Sequence, residues 1–280
     1  MHKQKLKNVL KKFEEYLIVD RGLARTTVEG YSRSLSISLK RMRKFCPSYR
    51  DIKRHILWMH KSKYSYHHIV NTSLAIEHYC RQRGFTIRLG RPKKPKRVIK
   101  GVLTESEVSR LIQSSKNIRE KAMICLMAYS GMRNREICSL RVGDVDLGSN
   151  RVTVRAGKNN KDRIINISSE CTLVLIDYLK SHLRQNEDFL FTTIVRNNQL
   201  ASGDLRKTLR TVAKRQLGAR RVFPHLIRHS LATNLLNRGA SLITIKDQLG
   251  HAFIDSTMIY VNSTAFRNRS EYEYFKPAYM

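Results

Sequence analysis

Along the first part of the chain, apolar residues recur at helical spacing between blocks of charge. Residues 3–19 place Leu6, Val9, Leu10, Phe13, Leu17 and Ile18 on one face, which predicts an amphipathic helix. A second helix opens at Arg25-Thr26-Thr27, with Thr26 or Thr27 as the expected N-cap. It carries Val28, Tyr31, Leu35, Leu39 and Met42 until Pro47 stops it. A third, from about Asp51, carries Ile52, Ile56 and Leu57, and a fourth runs from about Tyr66 through Ile69, Leu74, Ile76 and Tyr79 to Gly84. Together they predict a small all-α domain over residues 1–85.

The pattern then breaks. Arg91-Pro-Lys-Lys-Pro-Lys-Arg97 combines two prolines, which resist helix, with five charges, which resist burial, so residues 86–101 read as a linker. Thr104-Glu-Ser-Glu107 is a capping-box sequence that starts a helix. An apolar helix follows at 118–130, then Gly131 and a short helix from Arg133 to Leu140. Over 151–167 the period changes to alternation. Arg151–Arg155 and Arg163–Ile167 flank a Gly157–Lys161 turn, which predicts a β-hairpin. Helical spacing returns at about 169–184, 203–217, 225–237, 241–248 and 255–262. The fold class expected is mainly α with a small antiparallel sheet: an N-terminal helical bundle, then an α+β domain at 102–262 and a tail at 263–280.

Charge adds a partner to this picture. The 280 residues carry a formal net charge of +32, with +19 in residues 1–97 and +13 in 98–280. A surplus of that size points to a polyanion, most often nucleic acid, and both halves share it. A merely basic protein of ribosomal type would show the same surplus, so charge alone does not separate binding from catalysis. The five cysteines show no zinc spacing and no disulfide framework, so neither a structural metal nor any cofactor is called for. No apolar run approaches the length of a membrane span, and no secretory leader is evident; the expected location is the cytoplasm, at the nucleoid.

Candidate chemistry is concentrated near the C-terminus. His225 and Arg228 share a helix face in Phe223-Pro-His-Leu-Ile-Arg-His, at a helix start whose free N–H groups suit an anion. His229 is expected to face elsewhere, as a packing residue. His251 follows Leu249-Gly250, where it would serve as a partner for the end of the preceding helix, and Tyr260 lies nine positions on. Upstream, Arg133 follows Ser130-Gly131-Met132, with Glu136 spaced to hold its guanidinium. Lys158 sits in the hairpin turn, and Lys161 competes with it for any role there. Taken singly, each has an ordinary structural explanation.

In this order, the boxes resemble the tyrosine recombinase (phage integrase) family. Ser130-Gly-Met-Arg-Asn-Arg-Glu-Ile137 looks like the family's first-arginine box, and Gly157-Lys158-Asn-Asn-Lys-Asp-Arg163 looks like its hairpin lysine. His225-Leu-Ile-Arg228, Leu249-Gly250-His251 and Tyr260 match the rest over about 104–262. The resemblance implies that Tyr260 is the nucleophile and that the product is a 3′-phosphotyrosyl link with a free 5′-hydroxyl. Arg133 and Arg228 would grip the phosphate in place of a metal, a task for which two planar guanidiniums are suited. A phenol with a pKa near 10 needs an adjacent base or a cationic field to become reactive. His225 is the best-placed base, His251 would hydrogen-bond the phosphate or the phenol, and Lys158 would protonate the leaving oxygen.

The resemblance also implies the partners. They are double-stranded DNA with short inverted core sites and a homotetramer formed on DNA; nothing requires more than a monomer beforehand. An accessory protein is neither demanded nor excluded. The bundle resembles the family's core-DNA-binding domain, with Arg25, Thr26, Lys93, Lys94, Lys96 and Arg97 as expected DNA contacts. The linker would lie as a strap across the backbone, and the two domains would close on the duplex as a clamp. The tail would dock on a neighbouring protomer. Because the chain opens on the first helix of the bundle, it looks like a simple Xer-type or minimal mobile-element enzyme. Two alternatives stay open: a catalytically silent DNA-binding protein of the same fold, and a type IB topoisomerase-like enzyme.

Overall fold

A computed structural model describes residues 3–93, 101–155, 162–182, 184–193, 198–218 and 220–250. The chain divides into two compact units, Met1–Lys96 and Arg97–Met280. Each has its own core. Among the described residues the fold is mainly helical with one small antiparallel sheet, as the sequence predicts. No described helix is long and apolar enough to cross a membrane.

The first unit consists of α1 (Lys3–Val19), α2 (Arg25–Met42), α3 (Tyr49–Lys61) and α4 (Tyr66–Gln82). Phe13, Leu17, Leu35, Leu39, Ile52 and Ile76 are buried at its centre. Two residues assigned to the apolar faces are instead exposed, Ile18 at 51% and Leu57 at 55%. Each follows a buried residue, Leu17 or Ile56, and one step along a helix turns the side chain off a narrow stripe.

The ends of α2 and α3 also differ from expectation. The cap of α2 is Ala24, whose carbonyl accepts from the Thr27 amide at 2.8 Å, so Thr26 and Thr27 lie inside the first turn. Arg43, at φ 55°, closes α2 before Pro47 is reached. A reciprocal pair starts α3: the Asp51 amide donates to Ser48 Oγ at 3.3 Å, and the Ser48 amide to Asp51 Oδ2 at 3.0 Å. That cap places the helix start at Tyr49, upstream of Asp51.

The second unit opens with α5 (Glu105–Gln113), capped by Thr104 and Glu107 as predicted. It continues with α6 (Ile118–Ser130), α7 (Asn134–Ser139), β1 (Val145–Asp146), β2 (Arg151–Val154) and β3 (Arg163–Asn166). Then come α8 (Ser169–Lys180), α9 (Ser202–Leu217), α10 (Pro224–Asn237) and α11 (Leu242–Leu249). The sheet has order β1-β2-β3, and Val152 pairs with Ile165 across the predicted hairpin. β1 was not predicted, since two residues are too few to show alternation. The hairpin turn and the helix expected at 255–262 lie outside the described residues.

Helix α6 is the axis of this unit. Every residue from Ala122 to Ala128 is buried, so the helix is enclosed on all sides. It ends at Gly131, with φ +64°, and a Cβ there would come within 2.6 Å of Leu249 and 2.9 Å of Leu231. The missing side chain therefore lets α10 and α11 approach the end of α6 closely. All five cysteines are free thiols, four buried and Cys46 exposed.

Candidate active site

The site is assembled where α6, α10 and α11 meet. Arg133 caps α7, held from below by Glu136. The Arg133 amide donates to Glu136 Oε2 at 2.7 Å and its Nη1 to Oε1 at 2.8 Å. Its Nη2 reaches the Gly250 carbonyl at 3.3 Å. Burial alone would raise the Glu136 carboxyl; hydrogen bonds from Arg163, the Arg133 amide and the Arg133 guanidinium outweigh it and keep the pKa below the usual value.

Arg228, only 4% exposed, donates from Nη1 to the Gly131 carbonyl at 2.6 Å and from Nη2 to the Leu249 carbonyl at 2.7 Å. Those carbonyls close α6 and α11, so a cation meets the negative ends of two helices. The plane of the guanidinium is fixed by these bonds. Because Arg133 holds Gly250 and Arg228 holds Leu249, consecutive carbonyls bring the two arginines together.

His225 stands in the first turn of α10, behind Pro224, and opens onto a cleft. Its pKa is lowered, by partial burial first and then by Arg228 and Arg133. The imidazole is therefore kept neutral, as a proton acceptor must be. His229 does not face elsewhere: its ring lies 6.2 Å from that of His225 at an interplanar angle of 29°. The i,i+4 spacing stacks the two on one face.

The cleft has a volume of about 840 Å³. Arg133 and His225 line one side, and Arg135, Arg206, Lys207, Arg210 and Arg221 supply further positive charge. Among the described residues no acidic side chain lines it. Asn134, also in the lining, ties α7 to the start of α9 through a 2.9 Å bond from Nδ2 to the Ser202 carbonyl.

The structure thus brings together Arg133, Glu136, Arg228 and His225. Lys158, His251 and Tyr260, with Lys94, Lys96 and Arg97, lie outside the described residues. Arg25, Thr26 and Lys93 are exposed in the first unit, with Arg25 3.5 Å from Glu29. Sequence reasoning missed Arg163, which shares Glu136 with Arg133 through bonds of 3.0 and 2.7 Å. It also missed the α9 cations that line the cleft; an excess of Arg and Lys in a helix with four buried apolar residues was the available signal.

Residues 101–267 match the sequence model of the phage integrase family. The chain belongs to that family. Among its tyrosine recombinases, XerA of Pyrococcus horikoshii is 31% identical over 272 residues, spanning 95% of this chain and 93% of the relative. The crystal structure of a XerA recombinase superposes with a TM-score of 0.57 at 29% identity, covering 98% of this chain and all of the other. A pre-cleavage complex of the XerH site-specific recombinase with its difH substrate shares the fold, with a TM-score of 0.70 at 16% identity. That alignment covers 95% of this chain and 85% of XerH. This tyrosine recombinase therefore matches its relatives in both units.

Proposed function

We propose that this tyrosine recombinase cuts and rejoins double-stranded DNA at a specific site, through Tyr260. The observation that carries the reading is the meeting of Arg133 and neutral His225 on one cationic cleft, with the buried Arg228 tied to the carbonyl next to the one that Arg133 holds. A phosphodiester under attack gathers negative charge on its non-bridging oxygens, and paired guanidiniums fixed in advance stabilise that charge without reorganising. The Tyr260 oxygen bonds to phosphorus as its proton passes to His225. The bond to the 5′-oxygen breaks, and Lys158 protonates that departing oxygen to give the free 5′-hydroxyl. His251 hydrogen-bonds the phosphate. The phosphotyrosyl ester conserves the bond energy, so a 5′-hydroxyl from a second strand reverses the step and needs no nucleotide.

The α-helical bundle, with Arg25 and Thr26, and the basic linker, with Lys93, Lys94, Lys96 and Arg97, serve as the core-DNA-binding part. Four protomers assemble on paired inverted sites, and the tail after Tyr260 links neighbours. The work is done at the nucleoid.

The test is covalent capture. The protein is mixed with a pool of nicked duplexes whose arms are randomised around the nick, and adducts that survive detergent are recovered and sequenced. The expected result is an adduct with one inverted sequence, lost in Tyr260→Phe while binding to the recovered duplex persists. An adduct that persists in Tyr260→Phe moves the nucleophile to another residue. Binding without any adduct in the wild type leaves a silent DNA-binding protein. Relaxation of supercoiled plasmid without exchange between two sites marks a topoisomerase.

A further inference from the structure

Glu136 lies beneath the site with a side chain only 10% exposed, and it is shared by two guanidiniums. Arg133 takes one oxygen through its side chain and the other through its amide, while Arg163 donates Nη1 to Oε1 at 3.0 Å and Nη2 to Oε2 at 2.7 Å. Arg163 is itself well covered, its side chain 14% exposed. It is the first residue of β3, so it stands at the root of the hairpin whose turn carries Lys158. Its Nε has no hydrogen-bond partner among the described residues and lies against Gly250. At that position φ is +63°, and a Cβ would fall on the Arg163 Nε, Cδ and Cζ. One side chain therefore touches the support of Arg133, the turn that precedes His251 and the base of the hairpin.

We propose that Arg163 is a positioning residue for strand cleavage, acting on Arg133 through Glu136; the inference rests on the recombinase reading above. The argument is one of charge and geometry. A buried carboxylate facing a single guanidinium forms a neutral pair, whose partner has little attraction left for a phosphate. With Arg163 in place the group carries a net charge of +1, both carboxylate oxygens are satisfied, and the field of Arg133 is available to the cleft. The bidentate fork also fixes the hairpin root and the Gly250 turn against one anchor, which a point charge on a flexible stem would do less well.

The test uses the intact protein and the nicked duplex recovered by covalent capture. Arg163→Gln is expected to slow single-turnover adduct formation by about ten- to hundredfold, the range for residues that orient a reacting group through a shared hydrogen bond. DNA affinity should change by less than about threefold, since Arg163 does not line the cleft. Arg163→Lys should fall between. The decisive variant is the double one. If Arg163 acts by sharing Glu136, then Glu136→Gln in the Arg163→Gln background releases Arg133 from an unshared carboxylate and recovers part of the rate. A scaffold role alone predicts that the double variant is slower than either single one, and that result overturns the proposal, as does wild-type cleavage by Arg163→Gln. Amide hydrogen exchange in the DNA-free protein separates this outcome from failure of the recombinase reading. Exchange at the Arg133 amide and along β3 should quicken in Arg163→Gln whether or not the chain cleaves DNA, and unchanged exchange there also overturns the proposal.

Discussion

One glycine decides how closely the helices around the candidate site approach. At Gly131 the backbone is left-handed and the space for a Cβ is already taken by Leu249 and Leu231. Gly131→Ala adds left-handed strain to overpacking, and the second unit should lose about 2–4 kcal/mol in urea unfolding. Adduct formation should fall with it, because the Gly131 carbonyl is one of the two that hold Arg228. At this scale the sequence was legible where partners are close along the chain. Arg133 and Glu136 sit three residues apart, and their pairing follows from helix geometry. Arg163 lies 27 residues from Glu136, and the carbonyls that fix Arg228 lie 97 and 21 residues away. No local spacing carries such information, because it is created only when β3 and α11 pack on the end of α6.

Elements were legible to the extent that their ends carry chemistry. Thr104 and Glu107 mark the start of α5, and Gly131 marks the end of α6. Where no side chain caps the helix, as at Ala24, the start was misplaced onto the nearest threonines. A two-residue strand such as β1 leaves no pattern at all. Between α2 and α3 the structure adds a tie that periodicity does not reveal: the buried His55 Nε2 lies 3.0 Å from Ser38 Oγ. Burial first, and then Arg41, lower the His55 pKa to about 4 from an ordinary 6.5. The unfolded chain therefore takes up a proton near pH 6.5 that the folded bundle refuses until about pH 4. Folding stability should be full above pH 6.5 and decline as the pH falls towards 4. His78, also lowered by burial and nearby arginines, acts in the same direction. Trp58 is the chain's one tryptophan, its ring 5.9 Å from that of His55, so its fluorescence in urea reports this unit. His55→Gln should flatten the pH dependence, and an unchanged slope would assign it to other groups.

At the scale of the whole molecule, the positive surplus in both units sets how DNA binding responds to salt. Each phosphate neutralised releases counterions, so affinity falls as a power of salt concentration. If six to ten phosphates are contacted, affinity should drop by about 10³–10⁵ between 50 and 200 mM salt. Titrations across that range give the slope. Removing Arg206 and Arg210 together should make it shallower by about 2 if both meet phosphates. Charge was the plainest whole-chain signal in the sequence; the cleft that gathers it was not, since its lining comes from α7, α9, the segment before α10 and the start of α10.

The distribution of the thiols opens a practical route to observing the protein at work. Burial pushes Cys80, Cys125 and Cys138 up to about 11 and raises Cys171 as well, so all four resist alkylation. Cys46 alone is exposed, in the segment between α2 and α3. A maleimide dye added near neutral pH should therefore attach once, to the helical bundle, with no mutation required. The unaltered enzyme then carries its own fluorescent reporter, and energy transfer from dyed DNA can time the arrival of the bundle on the duplex against the appearance of the covalent adduct.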